Sequence, residues 1–260
     1  MKLPTRMGTD QNGYIVNPTH LNKLQEHIKP ILHTLLQLLL NRLGENVHSM
    51  YVYGSVARGE AIPFKSDLDL TVILYSPISS TTKNRIHAET SELLKEYKQL
   101  TKVDYDMGEV KEALHPDNYY EWGFWLKHMC CCIHGEDLST QFPVMKPNKF
   151  ISSSLNKDLM PQTNRFMDTL KSGTKTSALE KQSMIKKMIR GTYLTINVED
   201  ESWATTIQDQ LNILEAYFPN DSIIQELQYV YKVETIDSST FLSLLHAYKL
   251  WYEKRHTSFR

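Results

Sequence analysis

Two short motifs in this chain could do chemistry together. Gly54 and Ser55 end one apolar segment, and Asp67 and Asp69 open the next. Carboxylates two positions apart on a strand point to the same face, so this pair repels unless a cation lies between the two groups. Hard oxygen ligands suit Mg²⁺, which completes its coordination shell with water and substrate phosphates.

The Gly-Ser pair adds the features of a phosphate site. Gly54 has no Cβ, so its backbone can approach a ligand closely. The Ser55 hydroxyl and N–H lie near a predicted helix start, where anions are favoured. Together the two motifs predict a site for a metal-bound nucleoside triphosphate.

Gly54-Ser55 followed by Asp67-Leu68-Asp69 resembles the active-site signature of the nucleotidyltransferase superfamily related to DNA polymerase beta. Ala57-Arg58-Gly59 and Ser66 match the version common in small bacterial members. The resemblance implies that ATP binds with Mg²⁺ on the two aspartates. It also implies that Ser55 holds the leaving phosphates and that Arg58 contacts the nucleotide.

The same resemblance implies a third acidic residue on a strand beside the Asp-x-Asp strand. Residues 101–110 are the candidate strand, and Asp104 and Asp106 share one face of it. Asp104 is favoured, because superfamily members commonly read apolar-Asp-apolar where this chain has Val103-Asp104-Tyr105, and Asp106 is the alternative. The residue used would take a proton from an acceptor hydroxyl, and Asp104 would also bind the metal.

Length and composition limit the classes of protein that fit. The chain has 260 residues, 41% of them hydrophobic, enough to bury the core of one large or two modest domains. A formal net charge of −1 argues against general nucleic-acid binding. No stretch is apolar for long enough to span a bilayer, and the N-terminus lacks a signal-peptide core. We therefore expect a cytoplasmic protein, and we expect it to be a monomer.

Apolar periodicity predicts a mixed first half. A helix should run from residue 19 to Gly44, kinked or divided at Pro30. A second helix is predicted at residues 80–100, and strands are predicted at residues 49–53, 68–75 and 101–110. Residues 116–126 are dense in aromatic side chains, which could stack a base but more often form core. The three consecutive cysteines at 130–132 suit neither a disulfide framework nor a zinc site, so we interpret them as small buried or half-buried apolar side chains in a reducing compartment.

Beyond a linker predicted at residues 139–153, apolar residues recur at helical spacing. The predicted helices are Leu155–Leu170, Ser177–Ile196, Ser202–Phe218, Ser222–Tyr231 and Ser238–Glu253. The prediction is an α+β chain. A nucleotidyltransferase domain at residues 1–150, a small mixed sheet flanked by helices, precedes a C-terminal α-helical bundle at residues 151–260. Lys187 and Arg190 could reach the triphosphate, although a solvated basic face explains them as well.

This layout is similar to that of the aminoglycoside adenylyltransferases of the streptomycin and spectinomycin type. The resemblance implies transfer of AMP from ATP to a hydroxyl of a small molecule, with antibiotic resistance as its consequence. Those enzymes often carry a glutamate as the third acidic residue, whereas this chain offers aspartates, which have a shorter reach. A cationic acceptor needs acidic or aromatic contacts, and the sequence offers Glu121, Trp122, Asp200, Glu201 and Trp203.

Two other classes of protein compete with this interpretation. An antitoxin-type nucleotidyltransferase adds AMP to a protein or RNA, but such enzymes are usually close in length to the catalytic domain alone. A nucleotide-binding regulator without turnover would not need Asp67 and Asp69 intact.

Overall fold

The computed structural model describes residues 4–256, without the side chain of residue 256, and these residues divide into two units. One unit is Val16–Met145, here called the sheet unit. The other joins the residues up to Ile15 with those from Lys146 onward and is called the helical unit. Each is described by itself.

The sheet unit mixes strands and helices. In chain order these are α1 (Lys29–Leu43), β1 (Val47–Tyr53), α2 (Gly54–Arg58), β2 (Leu68–Leu74), α3 (Ser80–Glu96), β3 (Val103–Glu109), α4 (Val110–Ala113), α5 (Phe124–His128) and β4 (Cys131–Gly135). Pro30 lies in the first turn of α1, where its missing N–H costs no hydrogen bond. The predicted first helix is therefore divided, and its first part is only a 3₁₀ turn at Leu21–Lys23.

The four strands form one sheet in the order β3-β2-β1-β4. Strand β1 is antiparallel to both β2 and β4, and β2 is parallel to β3. Helix α3 makes the crossover that the parallel pair requires. The mixed sheet and the helices that follow it confirm the predicted α+β fold class.

Strand β2 shows why this sequence folds as a two-faced strand. Leu68, Leu70 and Val72 are buried in the core that the sheet shares with α1 and α3. Asp69 and Thr71 alternate with them and point to the opposite face. One face of β2 therefore packs in the core, and its other face contributes residues to the candidate site.

The segment between β3 and Met145 packs on that opposite face. The Trp125 indole N–H donates to Thr71 Oγ1 at 3.3 Å, and the Leu138 N–H donates to the Tyr51 hydroxyl at 2.8 Å. Phe124 is fully buried. The aromatic run predicted at residues 116–126 therefore contributes to the core, as expected for most such runs.

The helical unit contains six helices among the described residues. They are α6 (Lys149–Asn156), α7 (Leu159–Lys171), α8 (Ala178–Tyr193), α9 (Ile207–Tyr217), α10 (Ser222–Lys232) and α11 (Ser238–His256). Their apolar faces enclose one core, in which Leu211, Phe241 and Leu245 are fully buried. Within residues 4–256, no helix combines the length and the hydropathy that crossing a membrane requires.

The N-terminal segment belongs to the helical unit, and Asp200 anchors it. The Asp200 side chain is fully buried and accepts hydrogen bonds from the Thr5 N–H, at 2.9 Å, and from the Thr5 hydroxyl. The Trp203 N–H donates to the Met7 carbonyl at 2.7 Å. A Cβ at Gly8 would lie 2.1 Å from the Trp203 carbonyl oxygen, so only glycine permits this approach.

Three features differ from the sequence expectation. Residues 4–15 group with the helical half, α6 begins inside the predicted linker at residues 139–153, and β4 was not predicted. The three cysteines are free, and two of them lie in β4. The assignment of a catalytic domain to residues 1–150 and of a C-terminal helical domain to residues 151–260 stays a prediction.

Replacing Asp200 with Ala should lower the free energy of unfolding by about 2 kcal/mol, because the donors that it binds, including both groups of Thr5, lose a buried charged acceptor. Urea denaturation followed by circular dichroism measures the change. Glu199→Ala removes the neighbouring exposed carboxylate and should change the same free energy by less than about 0.5 kcal/mol. Equal effects of the two substitutions would contradict the anchoring role.

Candidate active site

The turn between β1 and α2 is shaped around one carboxylate. Gly54 has φ +71°, a conformation that favours glycine. A Cβ at this position would lie 2.0 Å from Asp69 Oδ2. The glycine therefore serves the close approach of the Asp69 side chain as well as the turn. Ser55 follows it, half-buried, as the second residue of α2.

Strand pairing brings three aspartates together. Asp69 on β2 is paired with Tyr53 on β1 and with Asp104 on β3. Asp67 immediately precedes β2 and lies on the face of Asp69. One carboxylate oxygen of each of Asp67, Asp69 and Asp104 lies within 4.8 Å of the other two, and all three residues are half-buried. We call these three residues the carboxylate cluster.

The carboxylate cluster fits a divalent metal ion by the chemistry of its donors. Three carboxylates offer hard oxygen ligands at a spacing that one ion can bridge, and open sides remain for water and phosphate oxygens. Three negative charges this close also repel one another and need a counter-charge. The residues present therefore suit Mg²⁺, with Asp67, Asp69 and Asp104 as the residues that would hold it.

A lysine that the sequence analysis did not consider lies at this cluster. Lys102 Nζ donates a hydrogen bond to Asp104 and lies 3.6 Å from Asp67 Oδ2. The hydrogen bond to Asp104 raises the pKa of the Lys102 ammonium above its ordinary value, and the charge of Asp67 adds to the effect. The signal was present in the sequence, because residues 102 and 104 share a face on a strand.

Asp106 lies beside the cluster without joining it. It is paired with Thr71, two positions along β3 from the pair of Asp69 with Asp104. The residue is exposed, but partial desolvation of its carboxyl raises its pKa, and the nearby charges of Glu112 and Glu121 add to the rise. Asp106, Glu112 and Glu121 form what we call the acidic rim.

Aromatic side chains border the same carboxylates. Tyr53 packs edge-on against Trp125, with 4.8 Å between the ring centroids. Burial raises the pKa of the Tyr53 phenol, and the charges of Asp69 and Asp106 raise it further. Trp122 covers Gly108, where an added Cβ would lie 2.5 Å from the indole ring.

Two of the basic residues predicted at the nucleotide, Arg58 and Lys187, have carboxylate partners within the chain. Arg58 ends α2, and its Nε lies 2.7 Å from Glu60 Oε2. Lys187 and Arg190 lie on α8 in the helical unit, where Lys187 forms an ion pair of 2.7 Å with Asp158 and Arg190 is exposed. The contacts of these residues with a nucleotide stay predictions.

The candidate contacts for a cationic acceptor fall into two groups. Glu121 and Trp122 lie in the π-helical turn Tyr119–Gly123 of the sheet unit, near Asp106 and Gly108. Asp200, Glu201 and Trp203 instead hold the N-terminal segment: Asp200 binds Thr5, Glu201 pairs with Arg6 at 2.7 Å, and Trp203 is buried. These three residues therefore stabilise the position of the N-terminal segment.

Comparison with known proteins agrees with this geometry. The family model of the nucleotidyltransferase domain matches residues 34–122, which include every residue of the carboxylate cluster. No curated protein sequence matches the chain. The spectinomycin adenyltransferase AAD(9) from Enterococcus faecialis, whose crystal structure holds ATP and spectinomycin, has a similar fold. The TM-score is 0.57 at 14% sequence identity, over 85% of this chain and 98% of that chain.

At this identity the likeness concerns the fold, while the family match concerns the domain that carries the cluster. The family match identifies residues 34–122 as a nucleotidyltransferase domain, and the carboxylate cluster lies inside it.

Proposed function

We propose that this protein transfers AMP from ATP to a hydroxyl of a small molecule, an aminoglycoside or aminocyclitol antibiotic, in a Mg²⁺-dependent reaction. The observation that carries the proposal is the convergence of Asp67, Asp69 and Asp104 beneath the Gly54 turn. The fold shared with an adenyltransferase that was solved with ATP and spectinomycin supports the choice of nucleotide and of acceptor class.

Mg²⁺ would be held by Asp67, Asp69 and Asp104, and when bound it would supply positive charge to the phosphate oxygens. The Ser55 hydroxyl, beside Gly54, donates a hydrogen bond to the leaving phosphates. Arg58, Lys187 and Arg190 are proposed to add positive charge to the nucleotide, for which Arg58 and Lys187 would exchange their present carboxylate partners. These groups would then act mainly by positioning the nucleotide and by stabilising the negative charge on its phosphates.

Asp104 is the proposed base for the acceptor. It takes the proton of the acceptor hydroxyl while the hydroxyl oxygen forms a bond to the α-phosphorus. The bond from that phosphorus to the bridging oxygen breaks, and pyrophosphate leaves with the electron pair. The position of Asp104 in the carboxylate cluster supports this choice over Asp106, which lies two pairs further along the strands.

The acidic rim supports an acceptor with positive charges. The carboxylate of Asp106 lies two positions beyond Asp104 on β3, and the charges of Glu112 and Glu121 are near it. Ammonium groups of an aminocyclitol would form charge-assisted hydrogen bonds with them. Trp122 adds an apolar surface beside the same rim, where the face of a sugar ring could pack.

Asp67→Asn and Asp69→Asn should each lower kcat by at least about a hundredfold, because one carboxylate fewer weakens the hold on the metal. The fold should survive with an equal or higher melting temperature, since the substitution also relieves repulsion. Pyrophosphate release and thermal denaturation measure the two effects. Asp117→Asn, at an exposed aspartate outside the cluster, should leave both unchanged. Normal turnover in Asp69→Asn would contradict the metal site.

Asp104→Asn should lower kcat by about 10²–10⁴, the usual contribution of a general base. Asp106→Asn should lower kcat by less than about tenfold and should act mainly on the KM of a cationic acceptor, as expected for a binding contact. Steady-state kinetics with both substrates varied separates the two residues. The reverse order of effects would assign the base to Asp106.

The acceptor class is tested with the purified full chain, Mg²⁺, α-labelled ATP and a panel that includes spectinomycin and streptomycin. We expect pyrophosphate release that depends on the acceptor, and label on one member of the panel. Asp69→Asn is the matched control for contaminating activity. Label on protein or RNA from a cell extract, with none on the panel, would overturn the small-molecule acceptor in favour of a macromolecular one.

A further inference from the structure

Lys102 places an ammonium group at the carboxylate cluster. Its Nζ donates to Asp104 and lies 3.6 Å from Asp67 Oδ2, so one cation bridges two of the three carboxylates. Both carboxylates are among the three that would hold a metal ion. The ammonium thus supplies within the chain the counter-charge that the cluster requires.

The backbone fixes the position of this lysine. Residue 102 immediately precedes β3, and its carbonyl accepts a hydrogen bond of 3.0 Å from the N–H of Leu68, between Asp67 and Asp69. The Thr101 N–H donates to the Ser66 carbonyl, also at 3.0 Å. Because strand side chains alternate, residue 102 lies on the same face as Asp104. The ammonium is therefore tethered at the cluster rather than brought there by a long loop.

The side chain itself is free to leave. It is 57% exposed, and four rotatable bonds separate the ammonium from the fixed backbone. A triphosphate carries several negative charges, so its arrival offers the ammonium a second anionic partner. Without a nucleotide, however, a divalent ion must either displace the ammonium or accept a positive charge close beside it.

We infer that Lys102 is an internal counter-ion that keeps divalent metal out of the carboxylate cluster until a nucleoside triphosphate is present. Metal then binds with the nucleotide, as the ammonium turns from Asp104 and Asp67 to a phosphate oxygen. This inference rests on the proposed function, because it assumes that the cluster holds a metal ion. It assigns Lys102 as a positioning residue that couples the two binding events.

The test measures binding of Mn²⁺ to the full chain by electron paramagnetic resonance, in which free Mn²⁺ gives the signal. Titrations are run without nucleotide and with a non-hydrolysable α,β-methylene analogue of ATP. The wild type should bind Mn²⁺ weakly alone and much more tightly with the analogue. Lys102→Met should bind Mn²⁺ alone at least about tenfold more tightly than the wild type, the change expected when one adjacent positive charge is removed. Its gain from the analogue should be correspondingly smaller.

Three further variants make the result specific. Lys102→Arg keeps the charge and should behave as the wild type, and Lys102→Gln should behave as Lys102→Met. Lys111→Met removes a lysine that pairs with Glu109 outside the cluster and should leave Mn²⁺ binding unchanged. Equal Mn²⁺ affinity of Lys102→Met and the wild type without nucleotide would overturn the inference.

Failure of the proposed function gives a different result. If neither the wild type nor Lys102→Met binds Mn²⁺ even with the analogue, the metal site itself is wrong, and the inference falls with it. If the wild type binds Mn²⁺ tightly without nucleotide and Asp69→Asn abolishes that binding, the metal site stands and the role of Lys102 is wrong.

Discussion

The mutual repulsion of three carboxylates is the constraint on which the sheet unit depends. Asp67, Asp69 and Asp104 are held with oxygens within 4.8 Å of one another by strand pairing rather than by attraction. The pairing has to be strong enough to hold them, and it is, because the residues that alternate with them are buried in the core. A slip of one residue would turn Asp69 inward and Leu68 outward, so the core fixes the register of the site.

Much of this arrangement can be predicted from local patterns. The alternation of Asp67, Leu68 and Asp69 fixes which side chains share a face, and it needs no knowledge of the rest of the chain. The Gly54-Ser55 pair marks the turn before α2 for the same local reason, since a positive φ favours glycine. The α+β class follows from the change of period between the two halves of the sequence.

The remainder depends on partners far apart in the chain. Thr5 binds Asp200 across 195 positions, so neither residue carries a local sign that the N-terminal segment joins the helical unit. Strand β4 is short and contains cysteines and a histidine, and only its pairing with β1 makes it a strand. The sequence makes Asp200 a candidate for contact with a cationic acceptor, but in the structure its side chain is buried and binds Thr5.

The position of Lys102 depends both on a local pattern and on a partner far away in the chain. Its position on the face of Asp104 follows from strand alternation. Its contact with Asp67, at 3.6 Å between Nζ and Oδ2, depends on the parallel pairing of β3 with β2. The sheet unit can then keep three acidic groups together in the absence of any ligand, because a positive charge from the same chain offsets part of their repulsion. At the acidic rim, Asp106 is instead exposed to solvent. The chain therefore supplies part of the counter-charge that the three carboxylates of the cluster require.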